Sequence, residues 1–207
     1  MELQEIEAML QVASRKDKHS DARTDEAAIM ITRLMTPLGP MLAGASNQGV
    51  CLLEFMDRKM LETQLRRIGR YFQAQLKTGA SRYFHLLDIQ LQEYFSGTRQ
   101  KFSIPLDTPG TEFQTSAWAA LQTIPYGETR SYEDQALAIG RPTAIRAVAR
   151  ANGDNRISIV IPCHRVIGKD GSLTGYGGKI WRKQRLLQLE STDHMQGNLF
   201  PPERVGQ

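Results

Sequence analysis

The chain is organised around Ile159-Val160-Ile161-Pro162-Cys163-His164-Arg165-Val166. The first three of these residues are apolar and β-branched, a pattern that predicts a buried strand. Pro162 lacks a backbone N–H and has a fixed φ, so the predicted strand ends there. We therefore expect Cys163 and His164 at a strand end, on backbone stiffened by proline and by packed aliphatic residues.

A thiol next to an imidazole is typical of nucleophilic catalysis, because the thiolate attacks and a neighbouring base can take its proton. Successive side chains of a strand point to opposite faces, so His164 would reach Cys163 through a water molecule or a bent backbone. The alternative is that Cys163 is a small buried hydrophobic residue, a common fate of free cysteine. These residues alone leave both interpretations open.

Composition places the chain among ordinary globular proteins. Its 207 residues, 41% hydrophobic and 23% charged, allow one large or two small domains with a real core. No apolar run approaches the ~20 residues of a membrane span, and the acidic start is not a signal peptide. Two cysteines, Cys51 and Cys163, argue against a disulfide framework or a structural zinc site. We expect a cytoplasmic protein.

The net charge of +4 conceals an asymmetry. Residues 141–185 contain ten Lys or Arg against two Asp, a net charge of +8, which leaves −4 for the rest. A basic block inside a folded region indicates nucleic-acid binding. A solvated helix face would give the same count, and charge alone does not separate the two.

The first half shows helices and strands without a chemical motif. Apolar residues at helical spacing predict a short amphipathic helix over 2–14, followed by a charged linker. Cys51 falls within a predicted strand and is expected in the core, and His85 is expected to pack or lie at the surface. The predicted strands are 29–35, 41–46 and 50–55, and the predicted helices are 61–76 and 83–95.

The second half predicts a helix-turn-helix. One helix starts at a cap on Thr115 and ends before Pro125. The next starts at the capping-box-like Ser131-Tyr132-Glu133-Asp134 and ends at Gly140, and a third covers 143–152. Two short helices joined by a glycine-containing turn, the second rich in arginine, are typical of a DNA-binding pair. Helical hairpins also occur in enzymes that bind no nucleic acid.

The second helix of this pair has a distinctive surface. Ile145 and Val148 point one way, and the opposite face carries Thr143, Arg146, Ala147 and Arg150. Small residues with protruding arginines can approach a nucleic-acid backbone closely and enter a minor groove only ~6 Å wide.

The segments around the cysteine complete the second half. A turn at 152–155 precedes the predicted strand at Ile157, and a final helix is expected over 179–190 with Ile180, Leu186, Leu187 and Leu189 in the core. The glycine-rich segment 173–178 has no Gly-Lys-Ser/Thr sequence, so it is not a phosphate-binding loop of that type.

Several landmarks together resemble a known family. Pro162-Cys163-His164-Arg165-Val166 resembles the active-site signature of the O6-alkylguanine-DNA alkyltransferases (methylated-DNA–protein-cysteine methyltransferases). Further matches follow in the right order at Tyr132, Arg146, Asn155, Tyr176 and Glu190. The resemblance covers roughly residues 28–190 and is tightest over 113–176. It implies an α/β (α+β) fold, with an N-terminal ribonuclease-H-like three-stranded sheet and helices and a C-terminal helix-turn-helix (winged-helix-like) domain.

The resemblance also divides the chain. It implies an N-terminal extension of helix and linker over 1–27, a ribonuclease-H-like domain over 28–106 and a DNA-binding and active-site domain over 107–190. We expect the tail at 191–207 to be disordered.

The resemblance assigns three catalytic residues. Cys163 would be the nucleophile and methyl acceptor, His164 would take its proton directly or through water, and Glu190 would pair with His164. From the residues alone, Glu190 could equally be a surface glutamate at a helix end.

The DNA- and substrate-binding residues that it implies are Tyr132, Arg146, Ala147, Arg150, Asn155, Arg165 and Tyr176. Tyr132 would crowd the phosphate of the target nucleotide, and Arg146 would fill the gap left by a flipped base. Asn155 would brace the turn before the active site, although a simple Asx turn is the alternative. Tyr176 would lie beside the guanine. Arg150 departs from the family, which has a smaller residue there.

The implied activity is DNA repair by direct, irreversible transfer of an alkyl group from O6-alkylguanine to Cys163, with base flipping and one turnover per molecule. O4-alkylthymine is a further candidate substrate. The implied partner is double-stranded DNA that contains O6-alkylguanine, bound by a monomer without metal, organic cofactor or membrane. A cysteine hydrolase would also need Cys and His but gives no reason for the basic helix pair. A DNA-binding regulator would explain that pair but not Pro162-Cys163-His164.

Overall fold

The structure, a computed structural model, describes residues 6–11 and 28–191. Its N-terminal part is a four-stranded sheet of order β3-β2-β1-β4. The strands are β1 (Ala28–Leu34), β2 (Met41–Ala45), β3 (Val50–Phe55) and β4 (Gln75–Thr78). The first three pair antiparallel, whereas β4 lies parallel to β1 after a crossover through α2 (Leu61–Phe72). The α/β fold class is confirmed.

The fourth strand corrects the predicted helix 61–76 and the predicted three-stranded sheet. Helix α2 ends at Phe72 because Gln73 adopts the left-handed conformation, with φ 48° and ψ 38°. The chain then turns back, and Gln75–Thr78 pairs with the exposed edge of β1. Leu76 continued the helical spacing by coincidence, and pairing with a sheet edge overrides such a local signal.

One face of the sheet is covered by α2 and by a helix over residues 6–11, here α1. Ile6 and Leu10 of α1 are 2% and 5% exposed and belong to the same apolar cluster as Leu52 and Leu65. Cys51 is buried in this cluster, as predicted. The remainder of the predicted helix 2–14 lies outside the described residues.

The other face of the sheet belongs to a core that both halves of the chain share. Leu53 and Phe55 of β3 pack in one cluster with Tyr94 of α3 (Arg82–Phe95) and with Leu121 of α4 (Glu112–Gln122). The apolar residues of the segment 157–166 and Leu186 of the last helix join the same cluster: Ile157, Ile159, Val160, Ile161, Cys163, Val166 and Leu186. The segment that carries Cys163 is therefore built directly on the sheet of the first half.

The C-terminal part contains the predicted helix pair. Helices α5 (Tyr132–Ala138) and α6 (Ile145–Gly153) are joined by a turn in which Gly140 has φ 68°. Beside them, β5 (Arg130–Ser131) lies parallel to β6 (Val166–Ile167), and α7 (Ile180–Glu190) follows. None of the described helices is both long and apolar enough to span a membrane.

Two caps can be compared with the prediction. The capping box of α5 is confirmed, because Ser131 and Asp134 bond each other's backbone N–H. The cap of α4 is Thr111 and not Thr115, since Thr111 and Gln114 form the reciprocal pair. A threonine followed three residues later by glutamine is the sequence signature of this motif.

The shared core makes a stability prediction. Leu121 is 0% exposed, and Leu121→Ala should lower the free energy of unfolding by about 2–5 kcal/mol because it leaves a cavity. Leu137 on α5 is 56% exposed, so Leu137→Ala should change the free energy of unfolding by less than about 0.5 kcal/mol. Urea denaturation of both variants is the measurement. Similar losses for the two would contradict the position of α4 in the core.

Candidate active site

The residues before Cys163 form a buried turn, and the predicted strand at 157–161 is wrong. A single bridge joins Ile157 to Leu53 of β3. The chain then curls, with the Ile161 N–H donating to the Ile157 carbonyl at 2.9 Å. β-Branched residues favour strands mainly because they pack well on half-buried surfaces, and here the shared core supplies that packing without a ladder.

The turn holds one strained residue. Ile159 has φ 74°, a conformation that is unfavourable for a β-branched side chain, and it is 1% exposed. Such a backbone persists only where the surroundings over-determine it, and it tends to occur at functional sites. Pro162 follows, and Cys163 starts a short 3-10 helix, Cys163–Arg165.

Asn155 ties the turn to the sulfur. Its amide nitrogen donates to the Ile161 carbonyl at 2.9 Å and to Cys163 Sγ at 3.2 Å, and its amide oxygen accepts from the Ile157 N–H at 3.0 Å. Asn155 is 1% exposed. Its side chain thus makes an Asx turn and braces the cysteine at once, so the two interpretations of this residue are compatible.

The thiol of Cys163 is buried and protonated at neutral pH. Burial raises its pKa above the ordinary value, and the negative charge of Glu54 adds to this. The Asn155 hydrogen bond and the positive charges of Arg58 and Lys183 act in the opposite direction without reversing it. Desolvation therefore has a larger effect on the pKa of this thiol than the nearby positive charges have.

His164, Arg165 and Glu190 form a second buried cluster. His164 Nε2 lies 2.8 Å from Glu190 Oε1, and Arg165 Nε and Nη2 donate to Glu190 at 2.8 and 3.0 Å. The Tyr94 hydroxyl donates to Glu190 at 2.6 Å and the Gly127 N–H at 3.3 Å. Although burial opposes ionisation, the charges and hydrogen bonds of His164 and Arg165 hold the Glu190 pKa well below its usual range.

His164 keeps one ring nitrogen free. Its Nδ1 is buried and makes no hydrogen bond to another described residue, while Nε2 is engaged by Glu190. Because an ionised carboxylate can only accept, Nε2 carries the proton and Nδ1 is the basic nitrogen in the neutral ring.

One tyrosine, Tyr132, contacts the glycine-rich segment 173–178, and a second, Tyr176, lies within it. The Tyr132 hydroxyl donates to the Thr174 carbonyl at 3.1 Å. A side chain at Gly175, where φ is +68°, would come within 2.6 Å of that hydroxyl, so only glycine fits there. Tyr176 is 8% exposed, and the pKa values of both tyrosines are raised, first by burial and then, among other effects, by charge on Cys163.

The Tyr176 hydroxyl has no well-formed hydrogen bond to a described residue. The neighbouring Ser158 hydroxyl donates to Glu54 at 3.1 Å and makes no hydrogen bond to Tyr176. Tyr176 is therefore a neutral phenol with a free donor near the thiol.

Lys183 is a residue of this site that sequence analysis missed. It is 0% exposed, and its Nζ donates to the Val166 and Thr174 carbonyls at 2.5 and 2.8 Å. Burial lowers the pKa of Lys183 to about 8, against the opposing effect of Cys163. Helical spacing could have predicted its burial, because Lys183 lies on the same face of α7 as the buried residues Leu186 and Glu190. The prediction that Ile180 lies in the core is wrong, since Ile180 is 42% exposed.

Much of the basic block is not a nucleic-acid surface. Four of its ten cations are buried and bound within the protein: Arg156, Arg165, Arg182 and Lys183. Lys169 and Lys179 are exposed but pair with Glu133 and Asp57. The unpaired positive charge is concentrated on and just before α6, a smaller area than the charge count indicated.

On α6 the surface is open. Arg146, Ala147 and Arg150 are exposed, and neither arginine side chain makes a hydrogen bond or ion pair to another residue within 6–11 and 28–191. Val148 is buried as predicted, whereas Ile145 is 39% exposed. A groove of about 400 Å³ lies beside Ala147 and Arg150 and is also lined by Arg67 and Tyr71 of α2.

The structure thus brings Cys163, Asn155, Tyr132, Tyr176 and Lys183 into one environment. His164, Arg165 and Glu190 form the adjoining buried cluster, and Arg146, Ala147 and Arg150 lie apart on the exposed face of α6. Over residues 6–11 and 28–191, no group of His, Cys, Asp and Glu is arranged to hold a metal ion.

The Glu190 cluster predicts a pH-dependent stability. Breaking a buried ion pair costs about 3–5 kcal/mol, so Glu190→Gln should be strongly destabilising at neutral pH. A depressed folded-state pKa gives stability that is complete above the unfolded value, near 4.5, and is lost as the pH falls below it. In urea denaturation, the difference between wild type and Glu190→Gln should therefore shrink below that pH.

Glu128→Gln is the matched control. Glu128 forms an exposed pair with Arg130, which contributes little at any pH. A difference between wild type and Glu190→Gln that stays constant from neutral to acidic pH would mean that Glu190 is not ionised in the folded protein.

Comparison with known proteins agrees with these features. Residues 29–108 match the family described as 6-O-methylguanine DNA methyltransferase, ribonuclease-like domain, and residues 112–192 match the DNA binding domain of the same family. A methylated-DNA–protein-cysteine methyltransferase of Mycolicibacterium paratuberculosis is 51% identical over 142 residues, 67% of this chain and 86% of that one.

Further relatives extend the similarity. The enzyme of the same name from Methanosarcina barkeri is 42% identical over 159 residues, 76% of this chain and 94% of its own. The crystal structure of Mycobacterium tuberculosis OGT in complex with DNA superposes with a TM-score of 0.66 at 40% identity, covering 84% of this chain and 99% of that one. The resemblance inferred from the motifs is confirmed, and the chain belongs to the 6-O-methylguanine DNA methyltransferase family.

Proposed function

We propose that Cys163 accepts an alkyl group directly from O6 of a guanine in double-stranded DNA, once per protein molecule. The broader activity follows from the family: the chain is a methylated-DNA–protein-cysteine methyltransferase, which repairs DNA by alkyl transfer to a cysteine. A 40% identical relative has been solved with DNA bound, and DNA is the partner of this chain. The observation that carries the assignment is the hydrogen bond from Asn155 to a Cys163 thiol surrounded by Tyr132, Tyr176 and Lys183.

His164 activates the thiol by taking its proton. Because burial keeps Cys163 protonated, its proton must leave before or during attack. His164 Nδ1 is the free basic nitrogen, and Glu190 holds the ring through Nε2 and stabilises the imidazolium that forms. The proton passes directly or through one water molecule.

The transfer is a single displacement. The sulfur forms a bond to the alkyl carbon as the bond from that carbon to O6 breaks, and the electron pair passes to the guanine. The guanine gains one proton from solvent, which balances the proton lost by the thiol, and the free hydroxyl of Tyr176 is placed to donate a hydrogen bond to the guanine as negative charge develops there. The product thioether is stable, so the protein is consumed. O4-alkylthymine carries an equivalent alkyl oxygen and fits the same chemistry.

Access requires that the base leave the duplex. Cys163 is buried, so it cannot reach an O6 substituent within a stacked base pair. Arg146 on the exposed face of α6 fills the space of the rotated nucleotide, and Tyr132, at the start of α5, lies against its phosphate. The small side chain of Ala147 lets the helix approach closely.

Direct transfer is tested by intact-mass spectrometry after incubation with an O6-methylguanine duplex. Wild type should gain one methyl group, and peptide mapping should place it on Cys163. Burial raises the pKa of the Cys51 thiol to about 12, so Cys51 should stay unmodified. Cys163→Ala should bind the duplex and gain no mass.

Two results would refute this assignment. Methylation of Cys163→Ala would place the acceptor elsewhere, and repeated turnover by wild type would favour a hydrolytic enzyme.

The arginines of α6 should separate by function. Arg146→Ala should slow single-turnover repair of duplex DNA, where unstacking costs a few kcal/mol, and affect reaction with free O6-benzylguanine far less. Arg150→Ala should instead weaken binding to any duplex and reduce the salt slope by about one, because it removes a phosphate contact.

The measurements are single-turnover rates on duplex and free base, together with binding across a salt series. Each arginine variant is the control for the other. Equal losses on duplex and free base for Arg146→Ala would rule out the flipping role.

A further inference from the structure

A buried ion pair from the N-terminal half lies beneath the active site. Glu54 on β3 is 0% exposed and pairs with Arg58, which is 8% exposed. Glu54 also accepts hydrogen bonds from the Phe55 N–H at 3.0 Å and from the Ser158 hydroxyl at 3.1 Å. Burying a charge pair costs desolvation free energy, which these hydrogen bonds offset in part.

Arg58 reaches the turn that follows α6. Its Nη1 donates to the Asn155 carbonyl at 3.1 Å, and its Nη2 donates to the Gly153 carbonyl. One guanidinium thereby holds the backbone at both ends of 153–155. The side chain of Asn155 in turn donates to Cys163 Sγ. Arg58 is therefore two contacts away from the sulfur.

Arg58 also supports the glycine-rich segment. A side chain at Gly177 would come within 2.5 Å of the Arg58 guanidinium carbon, so the backbone next to Tyr176 lies directly on the planar cation. The same guanidinium thus contacts both the turn that braces the thiol and the segment that carries Tyr176.

We propose that Arg58, fixed by Glu54, is a positioning residue for alkyl transfer, which sets the placement of Asn155 and the electrostatic environment of Cys163. The pair makes the nucleophile of the C-terminal half depend on the N-terminal half. This inference rests on the assignment of Cys163 as the alkyl acceptor.

Several other groups influence the thiol and stay constant in the test. Lys183 of α7, Tyr132 of α5, Tyr176 of the glycine-rich segment and the Asn155 amide interact with Cys163. His164 and Glu190 form the adjoining cluster. Glu54 and Arg58 act on the sulfur with opposite signs, so their removal gives opposite results.

The test compares the rate of Cys163 alkylation by iodoacetamide, as a function of pH, in four variants. Arg58→Gln should move the profile to higher pH, and Glu54→Gln should move it to lower pH. At a pH below the thiol pKa, a displacement of the profile by one pH unit changes the thiolate fraction, and hence the alkylation rate, about tenfold. Arg58→Lys should keep the wild-type profile but slow methyl transfer from duplex DNA, since one ammonium cannot reproduce the planar fork.

Asp57→Asn is the matched control. Asp57 adjoins Arg58 in sequence and links the two halves through Lys179 and Arg182, at 2.6 Å each, without contacting Asn155. The Asp57→Asn variant should be less stable in urea denaturation, yet keep the wild-type pH profile of Cys163 alkylation and the wild-type rate of methyl transfer.

The outcomes separate this inference from the proposed function. Profiles of Arg58→Gln and Glu54→Gln that match Asp57→Asn would overturn the positioning role. If Arg58→Gln does not fold, an unshifted Glu54→Gln profile, or an Arg58→Lys transfer rate equal to wild type, would overturn it as well. Absence of methyl on Cys163 in wild type would instead refute the proposed acceptor.

Discussion

The C-terminal half depends on the hydrogen bonds and ion pairs of the buried Glu190 carboxylate. This carboxylate accepts hydrogen bonds from His164, Arg165, Tyr94 and the Gly127 backbone, and so connects the 3-10 helix of the cysteine with α3, α7 and the turn after α4. A buried charge without such partners would be strongly destabilising. Because ionised Glu190 can only accept, it also fixes the tautomer of His164 and leaves Nδ1 as the ring nitrogen without a proton in the neutral ring.

The thiol shows a balance between protection and reactivity. Burial raises its pKa, and the cations Arg58 and Lys183 offset only part of this effect. A protonated, buried sulfur reacts slowly with adventitious electrophiles. For a protein proposed to be consumed by one reaction, such protection until a substrate delivers the alkyl group is an advantage.

The two halves of the chain are joined by more than packing. They share one apolar core, and the N-terminal half also sends polar side chains to the turn after α6: Arg58, Gln64 and Arg67 contact residues 153–155. The exposed face of α6 and the buried sulfur are thus connected through a short, well-braced backbone segment.

The sequence by itself determined the elements with strong local signals and the residue that we propose as the alkyl acceptor, Cys163. Strands β1 to β3, the capping box at Ser131 and the Cys163-His164 signature were predicted, because alternation, capping and motif spacing are local properties. Three features depended on tertiary structure. Residues 157–161 form a turn because the shared core satisfies their apolar side chains, Gln75–Thr78 becomes a strand because β1 offers an edge, and Lys183 and Arg58 reach the site through contacts distant in sequence. Charge counting could not separate buried cations from exposed ones, since burial is decided by what the rest of the chain places around them.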